Sequence, residues 1–281
     1  MYFPLGYSFL NHFNQREKMK KIISSLIVLG LSVAPSIVSA SGLYVSGHAG
    51  ISSTSDFDYG NNKGNIDLSN ATATDGTIFP ANTLLNVASF TTKLKSGFTY
   101  FGAIGYDFNN FRIEGEIGHQ TINIDKFEGS GNVTVNGTVV DTGGTLNVTI
   151  PAKGDYSLLS FFANAYYDIP VGSTIKPYVT AGIGIAKVKA NDITVSSVTA
   201  NNASNTGKTV VFQTAQSPST TDESVLAYQI GVGVAIPVSK NIDIDARYRY
   251  TGTGEVAVGD ITTPKKSLTS NSFLLGLSVG I

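Results

Sequence analysis

The chain has 281 residues, with 19 Lys and Arg against 20 Asp and Glu, no Cys, no Trp and 30 Gly. Charged residues are 14% of it, against about 25% in a typical soluble domain, while 42% is hydrophobic. That balance gives no basic footprint for nucleic acid, the missing Cys removes disulfide and thiolate–zinc chemistry, and 15 Phe with 13 Tyr exclude a disordered polymer.

The first predicted element is a leader. Lys20-Lys21 precede the apolar run Ile22 to Val33, then Pro35 and the small-residue end Val38-Ser39-Ala40, the order of a secretory signal peptide. Cleavage after Ala40 is expected, so that 1–40 is a signal peptide and 41–281 the mature chain. Met19 is expected to be the true start and residues 1–18 a mis-called upstream extension. Without Arg16, Glu17, Lys18, Lys20 and Lys21 the mature chain keeps 15 basic and 19 acidic residues. Beyond Ala40 no apolar stretch reaches the ~18 residues of a helical span.

From Gly42 onward the sequence alternates with period two, the signature of strands. Leu43, Val45, Ala49 and Ile51 oppose Tyr44, Ser46, His48 and Gly50. Similar segments lie around Tyr100–Phe108, Phe111–Gln120, Leu159–Asp168, Tyr178–Ile185, Tyr228–Ile236, Ile242–Tyr250 and Phe273–Ile281. Each is close to the roughly 9–11 residues a tilted strand needs to cross a bilayer. The connections alternate too. Asn109-Asn110, 170–173 and 238–241 are short; residues 53–95, 126–154, 190–223 and 251–268 are long. Short turns on one rim and long loops on the other are the plan of an outer-membrane barrel with both termini on the short-turn side.

Volume decides which face looks outward. Eight strands enclose a lumen just wide enough for side chains to fill, too narrow for the many Phe, Tyr, Ile and Leu of the apolar parity. The opposite parity is Gly, Ser, Ala and Thr punctuated by Arg112, Glu114, Glu116, Asp243, Asp245, Arg247 and Arg249. These seven are expected to form a lumen ion-pair network, with the apolar set against hydrocarbon, where closing the sheet satisfies every backbone group. Tyr44, Tyr106, Phe111, Tyr167, Tyr248 and Phe273 are expected in an interfacial aromatic belt. The fold class read from these features is all-β, an eight-stranded antiparallel transmembrane β-barrel with long extracellular loops and short periplasmic turns.

Tyr106-Asp107-Phe108-Asn109-Asn110-Phe111-Arg112-Ile113-Glu114-Gly115-Glu116 resembles the second hairpin of the eight-stranded outer-membrane barrels that include the outer membrane protein A transmembrane domain and the opacity-type surface antigens. Pro177–Gly184 is similar to that group's fifth strand. The end, Leu274–Ile281, resembles the terminal signal read by the barrel-insertion machinery, with Gly276, Val279 and Ile281 as its marked positions. Ile281 stands there in place of an aromatic, and Leu274 in place of a polar residue. The resemblance covers the mature chain and implies a bacterial outer-membrane location, lipid and the insertion machinery as partners, and a surface antigen or adhesin role. No peptidoglycan-binding domain is expected after the eighth strand.

Chemistry is sparse. His48 falls on the lumen parity and His119 on the lipid parity, and the later segments add no His to complete a catalytic pair of the kind in outer-membrane acylhydrolases and proteases. Glu114/Glu116 and Asp243/Asp245 are interleaved with Arg and read as ion pairs rather than acid–base pairs. Gly182-Ile183-Gly184 and Gly231-Val232-Gly233 lie inside strands with no helix following and cradle no phosphate. Asp192, Asp222 and Glu223 lack ligand spacing, so no metal, cofactor or catalytic residue is assigned and the chain is not read as an enzyme. Specificity falls to the loops. Val133–Val140 carries an Asn136-Gly137 hairpin signal expected to extend two strands beyond the membrane. Ile193–Thr199 and Thr209–Thr214 form two Val/Thr-rich arms, and the triplets starting at Asn70, Asn132, Asn136, Asn147 and Asn202 read as polar loop composition. The sequence thus points to a non-enzymatic surface protein that meets a host-surface or extracellular ligand through its loops, the alternative being a structural or narrow-conductance barrel.

Overall fold

The structure, a computed structural model, describes residues 42–58, 64–139, 145–171, 175–201, 207–216, 223–256 and 266–281. The expected leader, Asp222 and residues 202–206 of the third loop lie outside them. The described residues form thirteen strands: β1 (Leu43–Thr54), β2 (Phe57–Asp58), β3 (Gly64–Asp67), β4 (Thr83–Lys95), β5 (Gly97–Asp107), β6 (Phe111–Val135), β7 (Thr138–Val139), β8 (Leu146–Asp168), β9 (Lys176–Asn201), β10 (Gly207–Gln216), β11 (Glu223–Pro237), β12 (Ile242–Val256) and β13 (Lys266–Gly280).

Eight of them close into an antiparallel ring, β1-β5-β6-β8-β9-β11-β12-β13 and back to β1. The seam runs from Tyr44 opposite Gly280 to Thr54 opposite Ser270. Closure leaves this part of the sheet no edge, which is what lets strands lie in hydrocarbon. The outward parity is apolar and bare: Ile183 is 74% exposed, Leu226 77% and Leu275 68%, with Ile104, Ile113, Ile117, Val179, Ile230 and Ile244 also exposed. The inward parity is buried and largely polar. One rim is tight. Asn109, at φ 76°, turns β5 into β6 with the Phe108 amide on the Phe111 carbonyl at 2.7 Å, and the Val238 amide bonds the Ile242 carbonyl at 2.9 Å.

The other rim differs from a set of loops. β6, β8 and β9 run on past the ring, and β4 takes over from β5 along the edge of β6. At the handover sits Gly97, where a Cβ would stand 1.6 Å from the Thr121 carbonyl oxygen. Together with β10 and the short β2 and β3 these arms make an outer sheet, ordered β10-β9-β8-β6-β4 with β2 and β3 both on β4. The Asn136-Gly137 hairpin forms as the sequence indicates, both residues at positive φ, with β7 folding back on β6. The two Val/Thr arms pair as β9 and β10, Thr199 opposite Thr209. The strand β4, inside what reads as one long polar loop, has no counterpart among the expected elements. Its inward Leu85 and Val87 are buried, and polar Thr, Ser, Asn and Lys make up most of the rest.

Candidate functional site

The lumen holds the polar side chains that the alternation turns inward. Near the tight rim Arg112 on β6 reaches Asp168 on β8 at 2.7 Å, and its guanidinium lies 4.7 and 4.9 Å from the Tyr166 and Tyr178 ring centres. Glu114, one inward position along, accepts hydrogen bonds from the Tyr44 hydroxyl at 2.9 Å, from Ser46 at 3.4 Å and from the Tyr166 hydroxyl. Across the barrel Arg247 donates to the Tyr178 and Tyr166 hydroxyls at 2.8 and 2.9 Å. Asp245, 1% exposed, meets His48 Nε2 at 2.7 Å and accepts from Tyr178 at 2.7 Å. The next layer is Glu116, which takes Arg249 at 2.8 Å and Asn164 at 3.0 Å. Gln229 donates to Asn164 at 2.6 Å. These groups come from six of the eight ring strands, so they cross the lumen.

Of the seven charged residues marked by the sequence, six meet in this stack. Asp243 stays at the tight rim, 4.0 Å from Lys176. The pairing differs from a simple alternation of Arg and carboxylate: Glu114 is held by phenols and a serine. Glycines make the room. A Cβ on Gly105 would sit 2.5 Å from the Tyr44 ring, and one on Gly233 2.4 Å from the Tyr178 ring. Tyr44 therefore leaves the expected aromatic belt. It is buried against Glu114, whereas Tyr106, Phe111, Tyr167, Tyr248 and Phe273 face outward. At the chain end Gly276 packs under the His48 ring, while Val279 and Ile281 are exposed. His48 is interior; His119 is outward, bonded to Ser157 at 2.9 Å and stacked on Tyr100. The two histidines do not meet. Among the described residues no cluster of three or more His, Cys, Asp or Glu is arranged to hold a metal ion.

Above Gln120, which donates to Thr54 at 3.2 Å and Ser270 at 2.9 Å, the interior turns apolar. Phe57, Ile122, Tyr156, Leu158, Val188, Val256 and Leu268 form one buried cluster drawn from strands all round the mouth. A second cluster, with Leu68, Leu85, Val133, Val148, Val198 and Val210, fills the outer sheet. Residues 68–79 cross this second cluster as a strap. The Ala73 bridge to Val210, the Thr74 amide on the Thr209 carbonyl at 2.8 Å and the contacts of Lys208 with Asp75 and with Thr77, the latter at 2.8 Å, fasten it to β10. The Lys208 ammonium beside Asp75, with the Thr77 amide, holds that carboxyl down at about 2. The outward side of this sheet is ionic at the β4–β6 edge, with Lys93–Asp56 at 3.0 Å, Lys95–Asp125 at 2.7 Å and Lys126–Glu128 at 2.7 Å. Farther along lies the hydroxyl row Thr149, Thr199 and Thr209.

An apolar exterior round a closed eight-strand ring with a polar filled interior defines a membrane-spanning β-barrel of the outer-membrane class. The family model described as the outer membrane protein beta-barrel domain matches residues 23–280, and the chain belongs to that family. Among solved structures the chain is similar to Neisserial surface protein A, with 17% identity over 86% of this chain and 98% of that one, at a TM-score of 0.43. It is also similar to Ail, the attachment invasion locus protein of Yersinia pestis, at 14% identity over 85% and 98%, TM-score 0.33. A third is the outer membrane protein OprG from Pseudomonas aeruginosa, at 12% identity over 85% and 95%, TM-score 0.33. The comparison with curated proteins gives no match.

Proposed function

We propose that the chain is a non-enzymatic outer-membrane surface protein whose outer sheet is its interaction surface. It would be exported by the leader ending at Ala40 and inserted through the terminal strand marked by Gly276, Val279 and Ile281. The observation that carries this reading is the second apolar core around Leu85, Val133 and Val148. A core of that kind gives the projecting arms a fixed shape, as a recognition surface requires, whereas a mere coat of polar loops has no use for one. The filled lumen speaks against conduction, and the separation of His48 from His119 speaks against an acyl-transfer or proteolytic centre.

Two measurements test it on the full chain. Planar-bilayer recordings of the refolded protein should give no steady unit conductance, and a reproducible one would overturn the non-conducting reading. Cells displaying the chain should adhere to host-surface or matrix preparations, and the pair Thr149→Arg and Thr199→Arg on the outer sheet should cut adhesion by tenfold or more with surface level unchanged. Equal adhesion of the pair, or none by the parent, would sink the adhesin reading.

A further inference from the structure

One arc of the lumen wall stands outside the paired network. Ser52 on β1 lies opposite Ser272 on β13, and Ser272 lies opposite Arg249 on β12, all three turned inward. Thr251 follows Arg249 on the same inward face, one row nearer the mouth. Side chains directly opposed on neighbouring strands have Cβ atoms about 4.5–5.5 Å apart, so the row is continuous. Each member is more than nine-tenths buried: Ser272 is 0% exposed, Ser52 2%, Arg249 6% and Thr251 6%. Among the described residues, the hydroxyls of Ser52, Ser272 and Thr251 and the Nε of Arg249 have no hydrogen-bond partner. Their neighbours Thr54 and Ser270 are satisfied, bonded to each other at 2.8 Å and both to Gln120.

Negative charge is scarce at this level. Arg249 donates to Glu116 at 2.8 Å, but Glu116 is shared with Asn164 at 3.0 Å and Gln229 at 3.3 Å. Toward the tight rim the balance is the reverse, with Asp168, Glu114 and Asp245 set beside Arg112 and Arg247. A buried donor without an acceptor is costly, and four in one row call for a common acceptor. An anion suits such a set, because the hydroxyls can all turn their hydrogens toward it while the guanidinium N–H supplies the charge. It must be small. Gln120 with Thr54 and Ser270 closes the arc toward the mouth, and the Phe101 ring centre lies 4.7 Å from the Arg249 guanidinium.

We propose that Arg249, Ser52, Ser272 and Thr251 form a buried site for one small monovalent anion of the chloride class, a fixed counter-ion of the lumen. The site goes beyond the adhesin reading and does not depend on it. The full chain, folded in lipid vesicles, is titrated with urea at constant ionic strength as chloride replaces gluconate, an anion too large for the arc. Above half-saturation each tenfold rise in chloride should raise the folding constant about tenfold. S52A/S272A removes two donors without adding bulk and should weaken the anion's binding about a hundredfold, so its folding constant should stay level over the same range. S53A, on the outward face, should follow the parent. Crystals of the parent grown with bromide should show one anomalous peak between Ser52, Ser272 and Arg249, a readout that stands even where the double variant fails to fold. A folding constant that follows chloride alike in the parent and S52A/S272A, or a lumen with no bromide peak, overturns the proposal and leaves water as the partner of these hydroxyls.

Discussion

Glu116 and Glu128 show how placement sets the worth of a carboxylate. Both lie on β6 and both meet a base, Arg249 at 2.8 Å for Glu116 and Lys126 at 2.7 Å for Glu128. Glu116 is 4% exposed inside the lumen, so neutralising it strands a buried guanidinium, a change that costs about 3–5 kcal/mol. Glu128 is over a third exposed on the outer sheet, where water replaces the partner. E116Q should therefore lower the urea midpoint of the barrel in lipid vesicles by an amount equivalent to about 3 kcal/mol, and E128Q should leave it in place; equal effects would mean that the lumen pair is solvated. The inward placement of Arg112, Glu114, Glu116, Asp245, Arg247 and Arg249 is legible from alternation alone. Their partners are not, because contacts across a lumen depend on how eight strands are staggered on closure. That stagger brings Tyr44 and Tyr166, not an arginine, to Glu114. The same sequence marks Tyr44 as a belt residue if strand-end position is weighed above parity.

Along a single strand the alternation carries a second message. On β6 the apolar residues Phe111, Ile113 and Ile117 face out, but Ile122 and Ile124 are buried inside, so the hydrophobic parity inverts between Ile117 and Ile122. On β9 it inverts between Ile185 and Ala186. The inversion marks the passage from hydrocarbon to water: in lipid the apolar face is outside, in water it must be inside. A strand boundary placed where one parity stops being apolar thus ends the element at the membrane surface and misses its outer half, as it does at Gln120. Bulges add to the difficulty. The β6–β8 ladder shifts register between Asn123 and Lys126, and Gly154 takes φ +134° opposite. The strap over the outer core carries a titratable contact at its surface. Asp75 has its carboxyl pulled down to about 2 by Lys208 and the Thr77 amide, from an unfolded value of roughly 3.9. Its contribution is present above the unfolded value and is lost as pH falls through the folded one. Pepsin cleavage within residues 70–79, normalised to an unfolded reporter peptide, should accelerate between about pH 4 and pH 2, and D75N should be cut at pH 4 as fast as the parent is at pH 2. A cleavage rate flat with pH in the parent would remove the latch from the account.

At the scale of the molecule two cores of opposite kind are stacked in one continuous set of strands. The lower interior is ionic and phenolic inside an apolar wall, the upper is aliphatic inside a polar one, and the cluster with Ile122, Leu158 and Val256 joins them across the mouth. Their stabilities rest on different solvents. Water drives the burial of Leu85 and Val148, whereas lipid offers no such drive between apolar groups and the barrel is held by its closed ladder and the paired charges of its lumen. A truncation in one core should therefore leave the other standing. Leu85 is fully buried in the upper core, so L85A should destabilise the outer sheet by about 2–5 kcal/mol, the usual range for a buried leucine. Protease should then attack β4 and the ends of β6 and β8, while the barrel keeps the compact, heat-modifiable gel mobility of a folded membrane barrel. E116Q should have the reverse signature, a weaker barrel whose outer sheet keeps its protease resistance until the barrel melts. If L85A abolishes the compact gel form together with protease resistance, the two cores unfold as one cooperative unit and the outer sheet is a structural extension of the barrel rather than a platform carried by it.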